Sequence, residues 1–118
     1  MVTPTGYSHV VTASGRTVYV SGQLPLRADG SLAGEDIHTQ ADQVFRNLET
    51  ALAAAGATWA HVVRLGWYLV DLADLAAVRE VRDRHLDGYD LPASTLVQVV
   101  GLVHPGARLE VDLVACLD

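Results

Sequence analysis

The chain has 118 residues, half of them hydrophobic, and a formal charge of −6. This length suits one domain, residues 1–118, with a single core. All eight basic residues are arginines, so enzymes that form a Schiff base on a lysine are excluded. The arginines are scattered and form no basic stripe, so we expect no nucleic-acid partner.

The chain also lacks the usual signals for membranes, disulfides and metals. No apolar run approaches the roughly 18–20 residues of a membrane span, and the first six residues have neither the basic cluster nor the apolar core of a signal peptide. We therefore expect a cytoplasmic protein that makes no contact with membranes. The single cysteine, Cys116, excludes an internal disulfide. The five histidines show no metal-ligand spacing, so we expect no metal. We expect no other cofactor either.

The first predicted elements form a β-hairpin. The sequence predicts strands at Tyr7–Val11 and Thr17–Ser21. The second segment is rich in β-branched and aromatic residues, and its side chains alternate with a period of two. Small residues between them favour a tight turn. A loop then runs from Leu24 to Gly34, with a proline and an Asp-Gly turn signal.

The middle of the chain predicts a helix and a buried strand. Apolar residues recur at helical spacing over Ile37–Ala55, with Asp36 as the N-cap and Gly56 as the C-cap. His61–Val70 is apolar on both faces, which is typical of a strand in the middle of a covered sheet.

The last third predicts a second helix and two closing strands. The helix covers Leu72–Leu86, where Leu75, Val78, Arg82 and His85 recur at helical spacing. The strands cover Thr95–Leu102 and Arg108–Ala115, joined by the turn at residues 104–106. In the last strand alternate residues face opposite ways, with Glu110 and Asp112 on the side away from Leu109 and Val111.

The resulting order, β-β-α-β-α-β-β, is typical of an α+β sandwich with both helices on one side of a sheet. Two helices can cover only one face, and the other face would carry six apolar residues: Tyr19, Tyr68, Val70, Leu96, Val100 and Val114. Exposed patches of that size usually mark an interface. We expect a homo-oligomer in which these faces meet. The alternative is that the residues are exposed singly.

Two segments point to a known family. Val20-Ser21-Gly22-Gln23-Leu24-Pro25 is close to a Val-Ser-Gly-Gln-Ile-Pro segment, and Pro92-Ala93-Ser94-Thr95 resembles a Pro-Ala-Arg-Ser segment. The two segments that they resemble are typical of the RidA family of enamine/imine deaminases, also called the YjgF or UK114 family. Further segments resemble the family in order and spacing across nearly the whole chain: residues 6–9, 40–56, 70–75 and 109–112.

The resemblance implies a chorismate-mutase-like fold and a homotrimer, a barrel of packed sheets with the helices outside. It also implies three clefts between subunits, each binding a small molecule. By motif, the ligand-binding residues would be Tyr7, Ser21, Gly22, Ser94 and Thr95, and Glu110 would handle the water that attacks an imine carbon.

Each of these residues also has a simpler interpretation. Glu110 could be a solvated edge residue or the partner of an arginine. Tyr7 could be a strand aromatic in the core, and Gly22 could only end its strand.

Ser94 departs from the family's pattern. At this position the family carries the arginine that binds the substrate's carboxylate. A guanidinium binds a carboxylate through two charge-assisted hydrogen bonds, whereas a serine offers one neutral bond. Losing such a partner costs on the order of 2–5 kcal/mol. We therefore expect weak or absent deamination of 2-aminoacrylate-type substrates, and a ligand that is neutral, less acidic or anchored elsewhere.

Arg79, on the second helix next to Val78, is a candidate replacement anchor. The alternative is a solvent-facing arginine paired with Glu80 or Asp83.

Three functions remain open on sequence grounds. The first is a RidA-like hydrolase of reactive enamines or imines with altered specificity. The second is a trimer that binds a small metabolite without turning it over, as a sensor or a pathway accessory protein. The third is a ribonuclease, a label often given to the family, and the charge of −6 argues against it.

Overall fold

The computed structural model describes residues 1–118 and contains two helices packed on one four-stranded sheet. The elements are β1 (Arg16–Gln23), α1 (Ile37–Ala54), β2 (Val62–Leu69), α2 (Leu75–Leu86), β3 (Ala93–Gln98) and β4 (Leu109–Leu117). The strand order is β1-β4-β2-β3; β2 and β3 are parallel, and the other pairs are antiparallel. The predicted α+β class is confirmed.

Helix α1 begins and ends where its capping residues predict. The Asp36 carboxylate accepts the backbone N–H of Thr39 at 3.0 Å. This hydrogen bond holds the pKa of Asp36 below its usual value of 3.8. Gly56 follows the helix with a φ of +76°, a left-handed conformation that glycine adopts without a steric penalty.

The core lies between the two helices and one face of the sheet. Phe45 and Leu48 of α1 are fully buried against this face, as are Leu65 of β2 and Leu113 of β4. Along β4, residues alternate strictly between buried and half-buried, so Leu109 and Val111 face the helices while Glu110 and Asp112 face away. The predicted orientation of this strand is confirmed.

The first predicted strand, Tyr7–Val11, is wrong: no strand precedes β1. Ser8 is instead tied to the segment leading into β3, since its backbone N–H donates to Pro92 O at 2.9 Å and its hydroxyl donates to Leu91 O at 2.6 Å. Strand β3 lies at the opposite edge of the sheet from β1. A chain held at that edge cannot also form a tight hairpin with β1. The order of elements is therefore β-α-β-α-β-β.

The open face of the sheet, which the helices leave uncovered, differs in part from the prediction. Tyr19 is 79% exposed there, and Tyr68 and Val114 are half-buried. Leu96, however, is paired with Trp67 and packs against the core, so it faces the helices. Strand β3 ends at Gln98, which leaves Val100 fully exposed in the following loop.

Neither helix is both long and apolar enough to cross a membrane.

Candidate functional site

A cavity of about 160 Å³ opens between the edge of the sheet and helix α2. The parallel register of β2 and β3 places Trp67 beside Leu96, with Ser94 two residues earlier on the same face. These three side chains form its floor. Val78, Arg79 and Arg82 of α2 line one wall, and residues 5–7 close the remaining side.

Ser94 is held by the floor of this cavity. The indole N–H of Trp67, a residue only 3% exposed, donates to the Ser94 hydroxyl oxygen at 2.7 Å. A hydroxyl has one proton and two lone pairs. Because the indole occupies a lone pair, the hydroxyl proton of Ser94 is free to donate into the cavity.

Two guanidinium groups reach the cavity wall, and they differ in burial. Arg79 is exposed and makes no ion pair. Its predicted partners are occupied elsewhere: Glu80 contacts His38 at 3.5 Å, and Asp83 contacts Arg82. The side chain of Arg82 is only 13% exposed. Arg79 therefore lies where the replacement-anchor hypothesis needs a guanidinium, and Arg82 lies there too.

The helical pattern of α2 includes Arg82 without marking it as a site residue, although a signal for that role is present in the sequence. Arg82 follows Val78 by four residues, so both lie on the same side of a helix. Val78 is buried. An arginine in register with a buried stripe is more enclosed than its neighbours on the helix.

Tyr7 lies at the cavity, as the resemblance implies. The ring is half-buried and packs edge-to-face on His9, with ring centroids 5.2 Å apart. It does not belong to the core cluster between the helices and the sheet. The interpretation as a core aromatic is therefore not supported.

A second group of predicted site residues lies on the open face. Strand β1 is irregular between Val20 and Gln23, where Ser21 and Gly22 stand. A side chain on Gly22 would overlap the Glu110 carboxylate, so the absence of a Cβ lets Glu110 lie directly against the β1 backbone. Thr95 is exposed on this same face, opposite Gly66 of β2.

Glu110 is half-buried, and its carboxylate makes no ion pair or hydrogen bond within the chain. The neighbouring carboxylate is engaged instead: Asp112 accepts the Tyr68 hydroxyl at 3.0 Å and contacts Arg64 at 3.6 Å. The hydrogen bond to Asp112, together with its negative charge, raises the pKa of Tyr68 above 10.0. The alternative interpretation of Glu110, as the partner of an arginine, does not hold within this chain.

The two groups do not meet in one chain. Ser94 and Arg79 lie on the helix side of the sheet, whereas Ser21, Gly22 and Glu110 lie on the opposite side. Strands β1 and β3 are also three inter-strand steps apart, about 14 Å. No group of three histidine, cysteine or acidic side chains is placed to hold a metal ion.

The family model and the similar proteins all indicate the same family. The family model described as endoribonuclease L-PSP matches residues 1–117. Protein DfrA of Myxococcus xanthus is 40% identical over 111 residues, which cover 92% of this chain and 83% of that protein. The 2-iminobutanoate/2-iminopropanoate deaminase of Rattus norvegicus is 34% identical over 110 residues, covering 92% and 78%.

The chain belongs to the RidA family. A crystal structure of the Rid family protein YyfB from Yersinia pestis, described as of unknown function, has a TM-score of 0.86 with this chain at 39% identity. The match covers 95% of this chain and 87% of that one. RidA relatives include a mitochondrial one, the protein mmf1 of Schizosaccharomyces pombe, at 30% identity. The relatives thus include a protein named as an imine deaminase and a mitochondrial protein.

Proposed function

We propose that this RidA family protein hydrolyses small enamines or imines in a cleft between the subunits of a homotrimer. The products are a carbonyl compound and ammonia. With Ser94 in place of the family's arginine, either the substrate differs or its carboxylate is anchored by another residue. The rat relative is a deaminase of 2-iminobutanoate and 2-iminopropanoate, which are small imino acids of this kind.

The position of Glu110 carries this proposal. A half-buried carboxylate without a partner, set against the bare backbone at Gly22, is free to accept a proton from water. Water adds to the carbon of the protonated imine while Glu110 takes one of its protons, which gives a carbinolamine. Glu110 then returns this proton to the nitrogen, the C–N bond breaks as the C=O bond forms, and the hydroxyl proton of the carbinolamine passes to Glu110 as ammonia leaves.

A second copy of the chain completes the site in this proposal. The cavity beside Ser94 and the carboxylate of Glu110 lie on opposite faces of one sheet, so a single chain cannot present both to one ligand. The open face carries Tyr19, which is 79% exposed, and Val97, which is 43% exposed, beside the half-buried Val114. Packing these faces around a threefold axis would cover this apolar surface and form a closed assembly.

We expect the protein in the cytoplasm, without a nucleic-acid or membrane partner and without a cofactor. The description of the family model names an endoribonuclease, but the charge of this chain is −6. Several arginines are already paired with acidic residues, among them Arg46 with Asp42 and Arg108 with Asp74. A surface of this kind repels the phosphate backbone.

The test follows ammonia release from imines that an amino-acid oxidase generates in situ, across a panel of amino acids. The parent protein should accelerate release over the spontaneous rate, and light scattering should give about 38 kDa, three times the 12.6 kDa chain. Glu110→Gln should lose roughly 100-fold in rate. Asp112→Asn, which alters the next carboxylate on the same face, is the matched control and should retain most of it.

Two outcomes would contradict the proposal. No acceleration with any amino acid, together with recovery of an unchanged ligand that raises the melting temperature, would favour a metabolite-binding protein without catalysis. A mass of one chain at working concentration would remove the cleft between subunits.

A further inference from the structure

The cavity wall contains a guanidinium that is already held in place. Two nitrogens of Arg82, Nε and Nη2, donate to one carboxylate oxygen of Asp83 at 2.9 and 2.8 Å. Both bonds lie on one edge of the planar group. The remaining nitrogen, Nη1, makes no hydrogen bond within the chain, and Arg82 lines the cavity. One side of the guanidinium is thus fixed and the other side is free.

The N-terminal segment covers this guanidinium. Gly6 has a φ of +78°, and a Cβ at that position would overlap the Arg82 guanidinium. Any other residue would meet both a backbone penalty and a steric clash there. The backbone therefore passes directly over the charged group, which leaves the Arg82 side chain only 13% exposed.

Charge and hydrogen-bond donors converge on the same small space. Arg79 and Arg82 both line the cavity, and no acidic residue does. The hydroxyl of Ser94 has a free proton, because its oxygen accepts the indole N–H of Trp67. A guanidinium with one free edge and a hydroxyl proton without an acceptor are chemically matched by an anion.

The rest of the lining sets the size and polarity of the occupant. Trp67, Val78 and Leu96 give the cavity an apolar floor and side. Its volume of about 160 Å³ corresponds to only a few water molecules, each occupying about 30 Å³ of the liquid. This space suits a short aliphatic chain attached to one carboxylate.

We propose that Arg82 is the anion anchor of this cavity and that its ligand is a small carboxylate with a short apolar side chain. The cation that the family carries on strand β3 is supplied here from helix α2, four residues after Val78. Arg79, which is exposed, lies at the mouth of the cavity and is not the primary anchor. The inference rests on the proposed function for its substrate class, a short 2-imino acid, but it concerns binding and can fail separately.

The probe is 2-oxobutanoate, a stable carboxylate of this class, and its neutral counterpart is 2-oxobutanamide. Binding to the parent protein and its variants is measured by calorimetry, after a melting curve has shown that each variant is folded. Arg82→Gln should weaken binding of the carboxylate roughly 10- to 100-fold and leave the amide nearly unaffected. Arg84→Gln removes the same charge from an exposed position of α2 and should bind like the parent. Arg79→Gln should weaken the carboxylate by less than Arg82→Gln.

Arg82→Lys is a second variant in case Arg82→Gln does not fold. It keeps the positive charge but loses the planar guanidinium, so it should bind the carboxylate with intermediate affinity. The inference is overturned if Arg82→Gln binds the carboxylate like the parent, if Arg79→Gln loses more affinity, or if the parent shows no preference for the acid over the amide. Carboxylate binding through Arg82 without ammonia release would support the anchor and contradict the hydrolase. Ammonia release from 2-iminobutanoate that is unchanged in Arg82→Gln would support the hydrolase and contradict the anchor.

Discussion

Two glycines on the open face each lie under a carboxylate. At Gly22 an added Cβ would overlap the Glu110 carboxylate, and at Gly66 it would overlap the Asp112 carboxylate. Neither glycine has a positive φ, so alanine can adopt either backbone conformation. In both cases the overlapping atoms belong to the end of a flexible side chain. Alanine would therefore displace a carboxylate without disturbing the sheet.

Gly22→Ala should move the Glu110 carboxylate away from the β1 backbone and lower the rate of imine hydrolysis about 100-fold. The free energy of unfolding should change by less than about 1 kcal/mol, because only a half-buried side chain has to move. Gly66→Ala is the matched control, since it displaces Asp112 and should retain activity. Rates equal in the two variants, or a loss only in Gly66→Ala, would show that Glu110 is not the group that handles water.

At the scale of single residues, the sequence names candidate site residues but not their surroundings. The motif containing Ser94 predicts a ligand-binding position, and that role stays a prediction. The indole that donates to Ser94 is 27 residues away in the chain, and only the parallel register of β2 and β3 brings the two together. The burial of Arg82 likewise depends on the N-terminal segment, which passes over it without regular secondary structure.

Helices α1 and α2 are joined by a histidine between two carboxylates. His85 of α2 contacts Asp42 through Nε2 and Glu49 through Nδ1, both at 2.9 Å. Its ring stacks on Phe45, with centroids 5.1 Å apart. Glu49 also accepts the indole N–H of Trp59 at 3.2 Å. Because α2 forms the cavity wall, this cluster fixes the wall against the core.

His85→Ala should lower the free energy of unfolding by about 2 kcal/mol, because it removes the partner that two neighbouring carboxylates share and the ring stacked on Phe45. His38→Ala is the matched control. His38 also bridges the two helices, at 3.5 Å from Glu80, but both side chains are more than half exposed. His38→Ala should lower the free energy of unfolding by less than about 0.5 kcal/mol. Urea unfolding measures both values, and equal effects would mean that the His85 cluster does not join the helices.

At the scale of elements, the sequence pattern predicts both helices, each of which has one buried face, and four of the strands. It fails for residues 7–11, where Tyr7 and Val11 resemble a strand but Ser8 is fixed to the opposite edge of the sheet by two hydrogen bonds. Such a long-range contact leaves no periodic signal. The side on which Leu96 lies could not be predicted either, since it depends on the register of β3 against β2.

The whole molecule shows a division that no single element reveals. One face of the sheet presents a cavity with two guanidinium groups and a serine, and the other presents an unpaired carboxylate in an apolar surface. In the proposed trimer, a second copy covers that apolar surface, and the carboxylate of one chain lies at the cavity of another. The proposed catalytic chemistry thus depends on assembly, because neither half can hold a substrate and activate water by itself.

The most direct measurement mixes two inactive variants. Glu110→Gln removes the carboxylate, and Ser94→Phe fills the cavity in a chain that keeps its carboxylate. Each variant alone should be nearly inactive. Subunits refolded together in equal amounts should recover roughly a quarter of the parent's specific activity, because a site needs an intact half from each of two chains. Activity no greater than the mean of the two variants would contradict a site shared between subunits.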